Sequence, residues 1–208
     1  MKRNGRARRR VIASLCPEAE VIVDVGADHG HVARMVGGIA TERQPHRAGR
    51  PDVPWVIADG LRPFSRVDVA IIAGMGARTI ASILEAGPTP PIVVLHAPDD
   101  PVTLRRWLAA SGWRIDAEAL APEAGRFAEV IRATRGHEPA TGPTLDFGPR
   151  LLRSDDPWLQ DHLAQLLGYH QRLAEATAGR ASALHDVATL RASFLAAQLA
   201  SRRGTTPL

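Results

Sequence analysis

The segment Asp24-Val25-Gly26-Ala27-Asp28-His29-Gly30 combines acidic and glycine residues at a spacing that can build a nucleoside-binding turn. It follows the apolar run Val21-Ile22-Val23, which reads as a buried strand, and His31–Val36 continues as a helix. Glycines there permit a tight turn, so a ligand can approach both the backbone and the N-terminus of that helix. Glu42 lies 18 residues after Asp24, at the end of a second short strand, where a carboxylate can accept hydrogen bonds from both hydroxyls of a ribose. Asp59-Gly60 ends a third strand and Ala73-Gly74-Met75-Gly76 a fourth. A nicotinamide dinucleotide would call for G-x-G-x-x-G, but Asp28 occupies the second glycine position and His31 the third. An acid at the strand tip, Asp24, suits the ammonium of a methionine better than a pyrophosphate. The expected cofactor is therefore S-adenosylmethionine rather than NAD. Its contacts are expected from Asp24, Gly26, Ala27, Asp28, His29, Gly30, Glu42, Asp59, Gly60, Ala73, Gly74 and Met75. The plainer alternative is that Asp24 and Asp28 only cap the helix that follows.

The fourth strand tip also bears on the methyl acceptor. It lacks the Asn/Asp-Pro-Pro-aromatic motif that grips an exocyclic amino group, which argues against amino methylation. Cys16 precedes the first strand and cannot serve as a nucleophile at the tips, which argues against a ring carbon. A ring nitrogen or an oxygen remains. Alkylating a ring nitrogen creates positive charge, which a nearby carboxylate stabilises, and Asp28 is the expected catalytic group.

The elements that must position these residues alternate along the chain. After a helix over 7–15, strands are expected over 21–25, 38–42, 55–58, 67–73 and 91–96. Helices are expected over 31–36, 79–85 and 102–111, with a closing pair of strands over 113–120 and 127–133. Short apolar strands alternating with helices imply an α/β fold with a doubly wound parallel sheet, whose ligands bind outside the carboxyl ends of the strands. Residues 43–54 read as a loop, and 134–148, rich in Gly, Pro and Thr, as a linker. Beyond it, Leu159, Leu163, Leu166, His170, Leu173 and Thr177 follow alternating 4-3 spacing. Ala183, Val187, Leu190, Phe194 and Ala197 do likewise, with Ala178-Gly179-Arg180 between the runs, so a coiled-coil-like helical hairpin is expected. The domains are then 1–148, including a basic arm over 1–10, and 149–203, with a tail over 204–208. Asp99-Asp100 is expected to cap the helix after Pro101, Trp107 and Trp113 to be core residues, and Arg105-Arg106 to lie on a solvated helix face.

Composition narrows the classes further. Six of the 26 basic residues and none of the 22 acidic ones fall in the first ten, so the remaining 198 residues carry 20 basic against 22 acidic. The basic surplus is a local arm on a near-neutral body, suited to nucleic acid or, more plainly, a solvated terminus. Cys16 is the only cysteine, which excludes an intrachain disulfide and a cysteine-based metal cluster and suits a reducing cytoplasm. The eight histidines lack ligand spacing, so no metal is expected; no apolar run approaches about 18 residues, so no membrane span is expected either.

Together these stretches resemble the TrmK family of bacterial tRNA (adenine-N1)-methyltransferases, which act on adenine 22 of tRNA. The resemblance runs from about Arg8 to Arg172 and is carried by VDVGADHGHVA (23–33), ATE (40–42), ADGL (58–61), VDVAIIAGMG (67–76), LRRWLAASGWRI (104–115), Glu118 and FGP (147–149). It implies a Rossmann-like class I methyltransferase sheet with a C-terminal α-helical hairpin. It also implies S-adenosylmethionine as cofactor and tRNA as partner. By this resemblance Asp24, Gly26, Asp28 and His29 lie in the cofactor motif and Glu42 is the ribose-side acid. The chain departs from the family pattern in three places. About a dozen loop-like residues replace the helix after the second strand; His96-Ala97-Pro98 replaces Gln-Pro-Asn; Ala128 replaces a Tyr, while the following Glu129 is kept. A methyltransferase of the same fold acting on a small molecule, and a non-catalytic cofactor- or RNA-binding relative, are the alternative expectations.

Overall fold

The computed structural model describes residues 5–45, 51–179 and 182–203. The chain divides into two compact units, Met1–Leu151 and Leu152–Leu208.

The first unit begins with α1 (Gly5–Leu15) and continues through β1 (Ile22–Val25), α2 (His31–Val36), β2 (Ile39–Glu42) and β3 (Trp55–Ile57). Then come β4 (Val69–Ala73), α3 (Ala77–Ala86), β5 (Ile92–His96), α4 (Pro101–Ala110), β6 (Trp113–Glu123), β7 (Arg126–Arg135) and the short α5 (Gly142–Asp146). The seven strands form one sheet in the order β3-β2-β1-β4-β5-β7-β6. β1 to β5 run parallel, and β7 inserts antiparallel between β5 and β6. This is the α/β sheet expected from the strand–helix alternation and the Rossmann-like arrangement that the resemblance implied, with the closing strand pair longer than anticipated. The central strands bury both faces. Val23, Val25, Ala70 and Ile72 pack with Ile80 and Leu84 of α3 and Leu104 and Leu108 of α4. Ile22, Val69, Ile71 and Val94 pack with Ile12 of α1. Strands buried on both faces read as continuous apolar runs, which is why these short elements were legible.

Two local expectations hold. Asp100 caps α4 by accepting a 3.0 Å hydrogen bond from the Thr103 N–H, with Pro101 starting the helix. Trp113 is buried, and Trp107 packs at the core's edge.

Two others fail. Arg105 is fully buried rather than on a solvated face: Glu118 on β6 accepts from its Nε at 2.7 Å and Glu129 on β7 pairs with it at 2.6 Å. Leu120 opposes Glu129 and Ile131 opposes Glu118, so the two carboxylates are diagonal neighbours of one hairpin. Burial disfavours the guanidinium charge, but the two carboxylates outweigh that and raise its pKa. Arg106 is paired as well, with Asp146 at 2.7 Å. The supposed linker over 134–148 is packed for the same reason. Buried Glu138 accepts from the backbone N–H of Ile115 at 2.9 Å and of Ala140 at 3.0 Å, and Asp146 holds Arg106. Carboxylates replace the backbone pairing that Gly- and Pro-rich sequence cannot supply.

After a 3-10 turn (Leu151–Arg153), the second unit holds α6 (Leu159–Thr177) and α7 (Ala183–Arg203), which pack as the expected hairpin. His185 Nδ1 lies 3.1 Å from the Ala174 carbonyl and 3.3 Å from Thr177 Oγ1, pinning the two helices near their connection. The expected stripe of α6 is inward, but that of α7 is not. Val187 is 42% and Leu190 58% exposed, whereas Ala188 and Leu195 are buried. α7 is rich in alanine, so its larger side chains do not by themselves mark the contact face, and the small Ala188 permits close approach. Arg180 and the tail over 204–208 lie outside the described residues.

Candidate active site

The strand tips converge on one cavity of about 630 Å³. Val25 and Gly26 enter it from β1, Glu42 and Arg43 from β2, Asp59 and Gly60 from the turn after β3, and Ala73, Gly74 and Met75 from β4. One face of α3, carrying Arg78, Thr79, Ser82 and Ile83, forms a wall. The spacing of those four residues puts them on one side of the helix, beside the side that carries Ile80 and Leu84 into the core.

The loop after β1 takes its shape from three left-handed residues, Gly26 (φ 65°), Asp28 (φ 50°) and Gly30 (φ 61°). Asp28 is the only non-glycine residue with positive φ among those described, a conformation that Asp and Asn tolerate best. A Cβ on Gly26 would lie 2.2 Å from Met75 Cε, so the two cavity residues meet here. A Cβ on Gly30 would lie 2.9 Å from the Trp55 ring. The Gly30 N–H donates to the Ala27 carbonyl at 2.9 Å, and the Ala27 N–H to the Thr41 carbonyl at 3.1 Å, tying the loop to the tip of β2.

Asp24 is buried beneath this loop, and its Oδ2 accepts a 3.0 Å hydrogen bond from the Ala33 N–H in the first turn of α2. The capping alternative therefore describes the contact Asp24 makes. Burial pushes its pKa up to about 7, against the lowering effect of that hydrogen bond. The folded state thus holds a proton that the unfolded chain, with an ordinary aspartate, releases near pH 4. Stability from this group is full below pH 4 and is lost as pH rises to about 7. Over that window wild type is expected to lose up to about 1.4 kcal/mol per pH unit that Asp24→Asn does not lose. Urea midpoints at pH 5, 6 and 7 for both proteins check this, and parallel slopes would refute it.

The expected contact residues thus fall in two places. Gly26, Glu42, Asp59, Gly60, Ala73, Gly74 and Met75 line the cavity, with Asp24 below it. Ala27, Asp28, His29 and Gly30 belong to the adjoining loop, with Asp28 and His29 exposed and 3.5 Å apart. Glu42 Oε1 accepts from the backbone N–H of Arg43 at 2.9 Å and of Gln44 at 3.3 Å, which fixes its carboxylate at the tip. Sequence reasoning missed Arg43, Arg62 and Arg78 on the cavity, and the α3 wall. The only available signal was the helical spacing of 79, 82, 83 and 86, which mixes polar and apolar types. Cys16, half-buried, has its thiol pushed up to about 11 by burial and then by the charge of Asp24, consistent with an inert role.

The model of the TrmK family, tRNA (adenine(22)-N(1))-methyltransferase, matches residues 52–196. The chain belongs to the TrmK family. The tRNA (adenine(22)-N(1))-methyltransferase of Bacillus subtilis strain 168 is 28% identical over 169 residues, covering 70% of this chain and 71% of that relative. The crystal structure of Streptococcus pneumoniae Sp1610 in complex with S-adenosyl-L-methionine is 25% identical. It aligns over 92% of this chain and 98% of its own, with a TM-score of 0.75. TrmK from M. capricolum, bound to S-adenosyl-homocysteine, shares the fold at 14% identity, with a TM-score of 0.74 over 93% of this chain and 96% of its own. As a TrmK-family enzyme, the chain uses S-adenosylmethionine to methylate N1 of an adenine in tRNA. The cavity fits that cofactor: two carboxylates, Glu42 and Asp59, stand on successive strand tips where a nucleoside's hydroxyl and amino groups need acceptors. Among the described residues no group of three or more His, Cys, Asp or Glu could hold a metal ion, and no helix is long and apolar enough to cross a membrane.

Proposed function

We propose that this protein is a cytoplasmic enzyme that methylates adenine 22 of tRNA at N1, with the cofactor lying across the tips of β1 to β4. Glu42 accepts from the ribose hydroxyls, Asp59 and Gly60 hold the cofactor's adenine end, and Gly26, Ala73, Gly74 and Met75 border its sulfur. Asp24 acts from below, by anchoring α2 and so the loop Ala27–Gly30. The convergence of Glu42 and Asp59 on a single cavity beside Gly26 and Gly74 carries this reading. The bound cofactor supplies a methyl group on a positively charged sulfur. The adenine, flipped out of its RNA context, offers the N1 lone pair in line with the C–S bond. That bond's electron pair stays on sulfur, the N–C bond forms, and no proton has to leave. Asp28 offsets the positive charge that appears on the ring.

Incubation with labelled cofactor and bulk tRNA, followed by nucleoside analysis, should give 1-methyladenosine, and reverse transcription should stop at position 22. Label in another nucleoside, or none, would overturn the assignment.

The basic arm is part of the tRNA-binding surface in this reading. From Gly5 onward it is not a frayed end but α1, anchored by buried Ile12 and by the 2.6 Å pair of Arg8 with Glu123. Lys2 and Arg3 lie outside the described residues. Arg6 and Arg10 are exposed one turn apart. Replacing both with Gln should make the slope of log K against log salt shallower, by roughly 0.7–0.9 per lost phosphate contact. An unaltered slope would remove α1 from the interface.

A further inference from the structure

His96, the last residue of β5, sits beside the fourth strand tip: it is in register with Ala73, and its carbonyl accepts the Gly74 N–H at 2.9 Å. Strand alternation places its side chain on the same face as Ile92 and Val94, toward α1 and away from the α3 wall of the cavity. The imidazole is 1% exposed. Its Nδ1 lies 3.0 Å from the Glu129 carbonyl, which can only accept, so Nδ1 carries the hydrogen. Glu129 is itself held by the buried Arg105 guanidinium. Burial lowers the pKa of His96 and keeps the ring neutral, which leaves Nε2 a bare acceptor. That atom is fully buried and has no hydrogen-bond partner among the described residues.

An unpaired buried acceptor is costly, and native folds retain few of them. A well-packed strand end that keeps one is waiting for a donor. The groups whose charges reach the ring are Arg8, Glu123 and Glu129. Arg8 and Glu123 pair with each other, with side chains 29% and 10% exposed. The Arg8 guanidinium keeps part of its surface in solvent, so an RNA phosphate can compete with Glu123 for it.

We propose that His96 Nε2 receives the 6-amino group of the target adenine, and that the Arg8–Glu123 pair covers it until tRNA draws Arg8 away. This rests on the functional reading above. The cofactor cavity lies on the α3 side of Gly74 and His96 on the other, so in this proposal the adenine approaches the C–S bond from the His96 side. Alkylation of N1 spreads positive charge over N1, C6 and N6, so the amino hydrogens become stronger donors. A neutral acceptor there stabilises the transition state more than the ground state and takes no proton. Guanine would present its O6 acceptor to Nε2 and be repelled, so the same atom also selects adenine.

The test uses the tRNA that wild type methylates, and the same tRNA carrying purine riboside, which lacks the amino group, at the methylated position. His96→Leu removes the acceptor and keeps an apolar side chain; His96→Gln retains an acceptor. Melting temperature, cofactor affinity and single-turnover rate are measured for all three proteins. His96→Leu should bind cofactor normally and lose roughly 100-fold in rate on adenosine. His96→Gln should recover most of that rate. Wild type should prefer adenosine over purine riboside, and His96→Leu should lose the preference, which a purely structural role would not produce. Full rate with the preference intact in His96→Leu would overturn the role of His96 alone. A lower rate with unchanged preference, pointing to a purely structural role, would do the same, and His96→Gln applies the same preference test if His96→Leu does not fold. Absence of 1-methyladenosine with wild type would instead overturn the functional reading itself.

Discussion

Gly26→Val should give a folded protein that no longer binds S-adenosylmethionine measurably by calorimetry. Gly26 adopts φ 65°, where a β-branched residue is strained, and its position for a Cβ lies 2.2 Å from the Met75 methyl. Met75 is flexible enough to swing aside. Both residues line the same cavity, however, so whichever side chain yields, the added bulk stays where the cofactor's sulfur end must lie. The strain costs about 1–2 kcal/mol, which a sheet buried on both faces tolerates. The expected pattern is a modest fall in melting temperature with loss of cofactor binding. Undiminished affinity would show that the cofactor lies elsewhere.

Asp28→Asn should leave cofactor and tRNA affinities near normal and slow methyl transfer on the order of 100-fold in single turnover. The substitution is sterically quiet because Asn accepts the left-handed conformation, φ 50°, that Asp28 adopts. Only the negative charge is removed. If that charge faces the adenine ring, it matters most as N1 is alkylated, so the loss appears in rate rather than in binding. A variant with full rate would reduce Asp28 to a turn residue. A variant that fails to bind cofactor would place Asp28 in the binding site and leave the stabilising group to be sought elsewhere.

The contrast between Asp24 and Asp28 shows how far a motif can be read. Both were visible in the same seven residues as candidates for the same site. The fold then separated them: Asp24 is buried under the loop with α2 on its carboxylate, and Asp28 is exposed at the loop's crest. Spacing along the chain cannot distinguish these outcomes, because the direction of a side chain from a strand tip depends on which helix packs above it. The Arg105-Arg106 pair makes the same point. Two adjacent arginines on a helix ordinarily mean solvent, but the β6–β7 hairpin carries Glu118 and Glu129 to Arg105, and Asp146 lies beside Arg106. Their partners are 13 to 40 residues away in sequence, with no local signal linking them.

The sequence by itself determined the order of strands and helices, the α/β class, and the strand tips that carry Gly26, Glu42, Asp59 and Gly74. Those features are local: apolar runs buried on both faces, glycines where a positive φ is required, and acids at the ends of runs all write themselves into neighbouring residues. Tertiary structure alone decided the α3 wall, the buried Arg105 network, the packing of the Gly- and Pro-rich stretch before the second unit, the inward stripe of the alanine-rich α7, and the unpartnered nitrogen of His96. Each depends on which surfaces meet, and a contact between distant segments is fixed by packing the whole sheet and its helices, not by the residues on either side of it.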